Sequence, residues 1–135
     1  MTFLAATASG AQADGLTVSD AWIRALPPSV PSGGYFTLRN GTPAPVTLTT
    51  AQSPACGMLM LHKSGSAVGM TSMDDVSEVI VPPGGTVKFS PGGYHLMCME
   101  AGPAIKPGQH VPVTLNFRGG AKVTATFAVR NAAGK

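Results

Sequence analysis

Residues Gly93–Met99, GYHLMCM, place one imidazole and three sulfur atoms in the five positions from 95 to 99. The run is short and apolar and follows the turn-forming Ser90-Pro91-Gly92-Gly93, which is how a β-strand reads. On a strand alternate side chains share a face. His95, Met97 and Met99 then point one way, and Leu96 and Cys98 the other. Two explanations compete for a face of this kind: soft core filler, or a site for a soft metal.

The rest of the chain follows the same habit. Strands are predicted at Leu16–Arg24, Gly34–Asn40, Val46–Gln52, Met58–Lys63, Ser77–Val81, Thr86–Ser90, Tyr94–Met99, Val111–Phe117 and Lys122–Val129. Between them lie PPSVPSGG, NGTPAP, VPPGG, SPGG, AGPAIKPG and RGG, all of turn or loop composition. No convincing amphipathic helix interrupts the series. Many short strands at this spacing predict an all-β fold, an antiparallel Greek-key barrel or sandwich. The segment Val111–Val129, with Arg118-Gly119-Gly120 at its centre, reads as a closing hairpin.

With 135 residues the chain is one domain's worth, and it shows no internal repeat. A chain of this size buries roughly two thirds of its unfolded surface, so it needs neither metal nor disulfide merely to fold. Charged residues make up 11%, with 9 Lys and Arg against 6 Asp and Glu, and the basic ones are scattered. No basic run or interleaved aromatic patch suggests nucleic acid. A slight basic excess still suits docking on an acidic partner.

The first 13 residues carry no charge and end in Ala11-Gln12-Ala13, an A-x-A pattern of the kind found at signal-peptide cleavage sites. Residues 1–13 are therefore expected to be an export-signal remnant, with the mature domain spanning 14–135 outside the cytoplasm. No Cys follows the site, so a lipid anchor at that point is not expected. No other apolar run is long enough to span a membrane.

Apart from Met1, the methionines are Met58, Met60, Met70, Met73, Met97 and Met99, and His62 and His95 lie in the same stretch. Methionine used as general filler would be spread among the strands. The closing strands instead use Val, Leu, Phe and Thr. In Cys56-Gly57-Met58-Leu59-Met60-Leu61-His62, leucines facing the core put Met58 and Met60 outward, leading to His62. Thioether sulfur is a soft neutral donor that, with imidazole, suits Cu(I) far better than Mg²⁺, Ca²⁺ or Mn²⁺. Structural zinc prefers thiolate, imidazole or carboxylate, and there are two cysteines only. Thioethers also resist the disulfide exchange that threatens thiolates in an oxidising compartment.

The spacing from His62 through Met73 and His95 to Met97 is H-x10-M-x21-H-x-M. It resembles the signature of the periplasmic copper chaperones of the PCu(A)C type. The resemblance covers nearly the whole mature chain, with DAWIRALPPSVPSGGYFTLRN similar to the family's opening strands. VPPGGTVKFSPGGYHLMCM is similar to its central segment and KPGQHVPVTLNFRGGAKVTATFAV to its closing hairpin. It implies a cupredoxin-like Greek-key β-barrel holding one Cu(I), with His62, Met73, His95 and Met97 as ligands. It also implies a non-enzymatic carrier, expected to be monomeric, in the periplasm or another extracytoplasmic compartment. The implied task is delivery of copper for respiratory oxidase assembly, to a copper-accepting oxidase subunit or a thiol-bearing assembly factor. The family's V-M-x-M run is replaced here by Gly69-Met70-Thr71-Ser72-Met73, which leaves Met70 as a substitute for Met73. Met70, Met99 and Met60 are candidate auxiliary copper contacts.

Outside the motif, His110 reads as a surface residue, Trp22 and Phe117 as core, and Cys98 as a small buried hydrophobe. A Cys56–Cys98 disulfide stays open. Strict alternation puts the two on faces of opposite character, and a bulge would remove that objection. Two readings rival the carrier. A blue-copper electron carrier needs a Cys thiolate with two His and an axial Met; here His95 precedes Cys98, and the next His is His110. A copper-free β-sandwich interaction module would use the sulfur cluster as a sticky surface. Catalysis is not expected: nothing pairs a Ser or Cys with a His at recognisable spacing, and thioethers disfavour Cu(II).

Overall fold

A computed structural model describes residues 10–13, 15–27, 30–67 and 70–135, with the backbone alone for 65–67 and 70–75. The strands are β1 Gly10–Ala13, β2 Leu16–Arg24, β3 Ser32–Asn40, β4 Val46–Gln52, β5 Cys56–Ala67 and β6 Met70–Asp75. They continue with β7 Val79–Val81, β8 Thr86–Phe89, β9 Tyr94–Ala101, β10 His110–Phe117 and β11 Lys122–Arg130. Their order across the sheet is β6-β5-β9-β3-β2-β1-β11-β10-β4-β7, with β8 also paired to β3. All pairings are antiparallel except that of β11 with β2, which joins Ala128–Arg130 to Trp22–Arg24. Because β4 also packs against β5, the sheet curls round one core. The fold is all-β, as the spacing of turns and apolar runs predicts, and cupredoxin-like, as the family resemblance implies.

The core follows from alternation. Along β11, Val123, Ala125, Phe127 and Val129 are buried, and along β10 Val111, Val113, Leu115 and Phe117. Phe36 stacks on Phe89 at 4.3 Å between ring centroids and meets Phe127 edge-on at 5.8 Å, both favourable aromatic geometries. Among the described residues the core cluster contains no methionine.

Asn40 is a buried polar knot at the end of β3. Its Nδ2 donates to the carbonyls of Ala44 (2.8 Å) and Val81 (3.0 Å), and its Oδ1 accepts from the Thr42 amide (2.9 Å) and hydroxyl (2.6 Å). Removing one partner from a buried hydrogen-bond set leaves the others desolvated and unmet, at about 1–3 kcal/mol. Asn40→Ala is therefore expected to lower unfolding free energy by about 1–3 kcal/mol in a denaturant titration. A loss of under a few tenths would mean that solvent replaces the knot.

Two breaks in alternation bear on the site. In β2 the register against β3 shifts between Ser19 and Trp22, and Asp20 sits at a φ of 52°. Leu16 and Val18 face inward before this bulge, Ala21 and Ile23 after it. Trp22 is consequently half-buried on the outside, with the guanidiniums of Arg24 and Arg130 stacked on its ring at 5.4 Å and 5.0 Å from the centroid. The expectation of a core Trp22 is thus corrected, whereas Phe117 is core.

In β9, Glu100 is also left-handed, with a φ of 52°, and the β5–β9 ladder has no rung between Cys56–Ala101 and Met58–Met99. A side chain on Gly57 would meet the Glu100 Cβ at 2.8 Å, so the glycine permits this close approach. Past the break Cys56 packs against the core and joins Cys98 in a disulfide, with their Cα atoms 5.4 Å apart. Cys98 is buried, as expected, but as half of a cystine. The register is the same on both sides of the break, so it is the left-handed turn of the backbone at Glu100, and not an inserted residue, that sets aside the objection strict alternation raised.

Candidate metal centre

The β5–β9 pairing brings the sulfur and imidazole residues together. Met58 lies opposite Met99, Met60 opposite Met97, and His62 opposite His95, three rungs of like residues on one face. The rungs between them, Leu59–Cys98 and Leu61–Leu96, face the core. Side chains directly opposite on antiparallel strands have Cβ atoms about 4.5–5.5 Å apart. The His62 and His95 rings lie 5.8 Å apart between centroids, edge to face. An imidazole nitrogen sits about 2 Å from a d¹⁰ ion, so two rings on one such ion have centroids roughly 5–6 Å apart, a range that includes the observed separation.

His95 is prepared for that role by the turn before it. Its Nδ1 lies 3.1 Å from the carbonyl oxygen of Gly93. A carbonyl can only accept, so Nδ1 carries the proton and Nε2 presents a lone pair. Nε2 is buried and has no hydrogen-bond partner. A buried nitrogen lone pair without a donor is costly unless something else occupies it, and a cation fits that need. Fixing one ring nitrogen by a backbone carbonyl is the usual way a metal-binding His is oriented.

Met97 and Tyr35 are the two buried apolar side chains, among the described residues, that stand outside the core cluster. With His95 (3% exposed) and Met97 (7%), Tyr35, Arg24, Gly33 and Ser64 line a cleft of about 280 Å³. Gly33 is the register partner of Met97. A Cβ at Gly33 would run into the Tyr35 hydroxyl, so a bare backbone at this point lets the phenol lie across the strand beside the thioether. Arg24 stands over the Tyr35 ring at 5.8 Å. These wall residues were not anticipated. The bulge at Asp20 sets the outward direction of Arg24, and alternation counted from Leu16 conceals it.

Met73 and Met70 lie in β6, and their side chains are outside the described residues. On the backbone, Ser64 pairs with Met73 and Ala67 with Met70. Met60 and Met99 are partly exposed and Met58 is 57% exposed. His110 begins β10 and is exposed, away from these rungs. Among the described residues no three His, Cys, Asp or Glu side chains gather as a metal cluster; the soft donors converge instead on the β5–β9 face.

Paired imidazoles and thioethers on one face of an all-β sheet define the class to which the chain is compared, the β-folds that gather soft donors on a strand ladder. The comparisons with known proteins name it further. A family model described as "Putative lipoprotein LpqE-like" matches residues 16–129. The "Putative lipoprotein Lxx21020" of Leifsonia xyli subsp. xyli (strain CTCB07) is 30% identical over 126 residues, covering 93% of this chain and 75% of that one. The apo PCuAC domain of PmoF2 superposes with a TM-score of 0.74 at 20% identity, covering 91% of this chain and 95% of the domain. The solution structure of apo-DR1885 from Deinococcus radiodurans gives 0.66 at 32% identity, over 97% of this chain and 89% of that one. Its Cu(I) form gives 0.65 at 30%, over 82% and 74%. The chain belongs to the LpqE-like family, whose fold is that of the PCuAC copper chaperones and which is not a family of enzymes.

Proposed function

We propose that this protein is an extracytoplasmic Cu(I) metallochaperone holding one ion in a shell of His62, Met73, His95 and Met97. The observation that carries the proposal is the His95 imidazole, with Nδ1 tied to the Gly93 carbonyl and the Nε2 lone pair buried without a partner beside Met97. Register favours Met73 over Met70. Position 73 pairs with Ser64, which is in step with His62, and position 70 pairs with Ala67, which is out of step.

The donors explain how a carrier can both hold and release. Four neutral ligands suit a soft monovalent cation, and neither thioether must lose a proton to bind. Protons compete with copper at the two imidazoles alone, so affinity falls on acidification. The shell opens on a cleft bounded by Arg24 and Tyr35, where an acceptor's ligand can enter as one of the carrier's leaves.

The Cys56–Cys98 disulfide supports residence in an oxidising compartment, in keeping with an export signal at residues 1–13 and with relatives named as lipoproteins. Cleavage after Ala13 would remove β1. Copper delivery to a respiratory oxidase subunit, directly or through a thiol-bearing assembly factor, is the destination we propose on the family likeness. A blue-copper carrier is disfavoured because both cysteines of the chain are bonded to each other, leaving no thiolate for the metal.

The test is an anaerobic Cu(I) titration of the full chain in competition with a chromophoric chelator. One tightly held equivalent supports the reading. Failure to compete would leave the copper-free interaction module in its place.

A further inference from the structure

The proposed shell uses one methionine from the β5–β9 rungs and leaves three unused. Met58 and Met99 form a complete rung, and Met60 lies next to Met58 along β5, diagonal to Met99. A single exposed methionine needs no explanation. Two successive rungs made wholly of methionine, in a chain with 7 methionines in 135 residues, are a different matter. Core packing does not account for them, since the described core contains none. The intervening residues Leu59 and Cys98 face that core, so the sheet itself holds the three thioethers on the opposite face.

We propose that Met58, Met60 and Met99 form a second, thioether-only site for Cu(I), on the same sheet face as the histidine rung and nearer solvent. Directly opposite residues have Cβ atoms about 4.5–5.5 Å apart, and diagonal ones about 7–8 Å. Long unbranched side chains with three rotatable bonds close both gaps. Three neutral sulfurs select a soft monovalent ion over the hard divalent cations. With no imidazole in the set, and with Met58 largely exposed, this site is the weaker and the faster to exchange. Met60 of this site faces Met97 of the proposed shell across one rung, so the two sites meet at that rung. Movement between the two is ligand exchange alone, with no electron transferred.

The experiment is an anaerobic Cu(I) titration followed by the methyl NMR signals of ¹³C-labelled methionines. The full chain is expected to take up two equivalents, with the Met58 and Met99 methyl signals moving on the second. The M58L/M99L double variant keeps the apolar volume and is expected to lose the second equivalent, with affinity for the first changed by less than about twofold. His95→Ala is expected to weaken the tight equivalent and leave the thioether one. Saturation at one equivalent with the Met58 and Met99 methyls unmoved would overturn the site. So would a second equivalent that persists in M58L/M99L, or one that appears only as copies dimerise. Because the two equivalents respond to different substitutions, failure of this site is distinguishable from failure of the histidine shell.

Discussion

His95→Ala is expected to weaken tight Cu(I) binding by at least about a hundredfold, or roughly 2.8 kcal/mol. Substitutions that merely disturb the groups orienting a metal ligand cost about 10–100-fold in affinity, so removing a ligand should reach or pass the top of that range. His95 is buried at the second position of β9, its Nδ1 fixed on Gly93 and its Nε2 without a hydrogen-bond partner. Truncation therefore deletes a positioned donor without leaving a broken hydrogen-bond partner inside the protein beyond one carbonyl. His110→Ala serves as the control. That residue is exposed at the start of β10, and its loss should leave affinity within about twofold. Equal affinity for wild type and His95→Ala would show that the metal, if bound, sits elsewhere.

The second large effect concerns stability. The Cys56–Cys98 link spans 42 positions, and the loop-entropy relation assigns a closure of that length about 4 kcal/mol of destabilisation to the unfolded chain. A Cys56→Ala/Cys98→Ala protein is expected to lose about that much unfolding free energy in urea. Alanine is chosen because Cys98 is fully buried and a serine hydroxyl there would add its own desolvation cost. The β5–β9 backbone ladder continues beyond the link through Lys63–Tyr94, so the folded variant should still bind copper within a few-fold of wild type. A loss of stability below about 1 kcal/mol would mean that the unfolded chain is already compact around these residues.

The sequence legibly encodes most of the barrel because buried strands advertise themselves by alternation. Leu16–Arg24 and Val46–Gln52 match β2 and β4 to the residue, and the closing hairpin differs from β10 and β11 by one residue at an end. Two strands escaped. β1, Gly-Ala-Gln-Ala, has no large apolar residue to alternate, and β6, Met-Thr-Ser-Met-Asp-Asp, is too polar to resemble a strand. The left-handed residues Asp20 and Glu100 hid the rest. Each reverses or ends a parity that simple counting carries forward, which is why Trp22 emerges outside the core and why Cys56 reaches Cys98. At the candidate site, the family resemblance implied His62, Met73, His95 and Met97, and the ladder places His62, His95 and Met97 on one face. That they form rungs with like residues opposite is a property of strand register, and no count along one strand contains it.

Register has one more consequence. His62 and His95 stand opposite each other although they are 33 positions apart in the chain, so the rung exists only after a distant pairing has closed. An unfolded chain offers scattered single donors, so copper bound at the proposed shell would favour the native state by mass action. At a free ion concentration a thousandfold above the dissociation constant the gain is about 4.1 kcal/mol. If the proposed shell holds copper, the loaded protein is expected to resist heat and protease better than the emptied one, in a melting or proteolysis series with and without Cu(I). On that reading, cargo and lifetime would be tied together by the register of one rung.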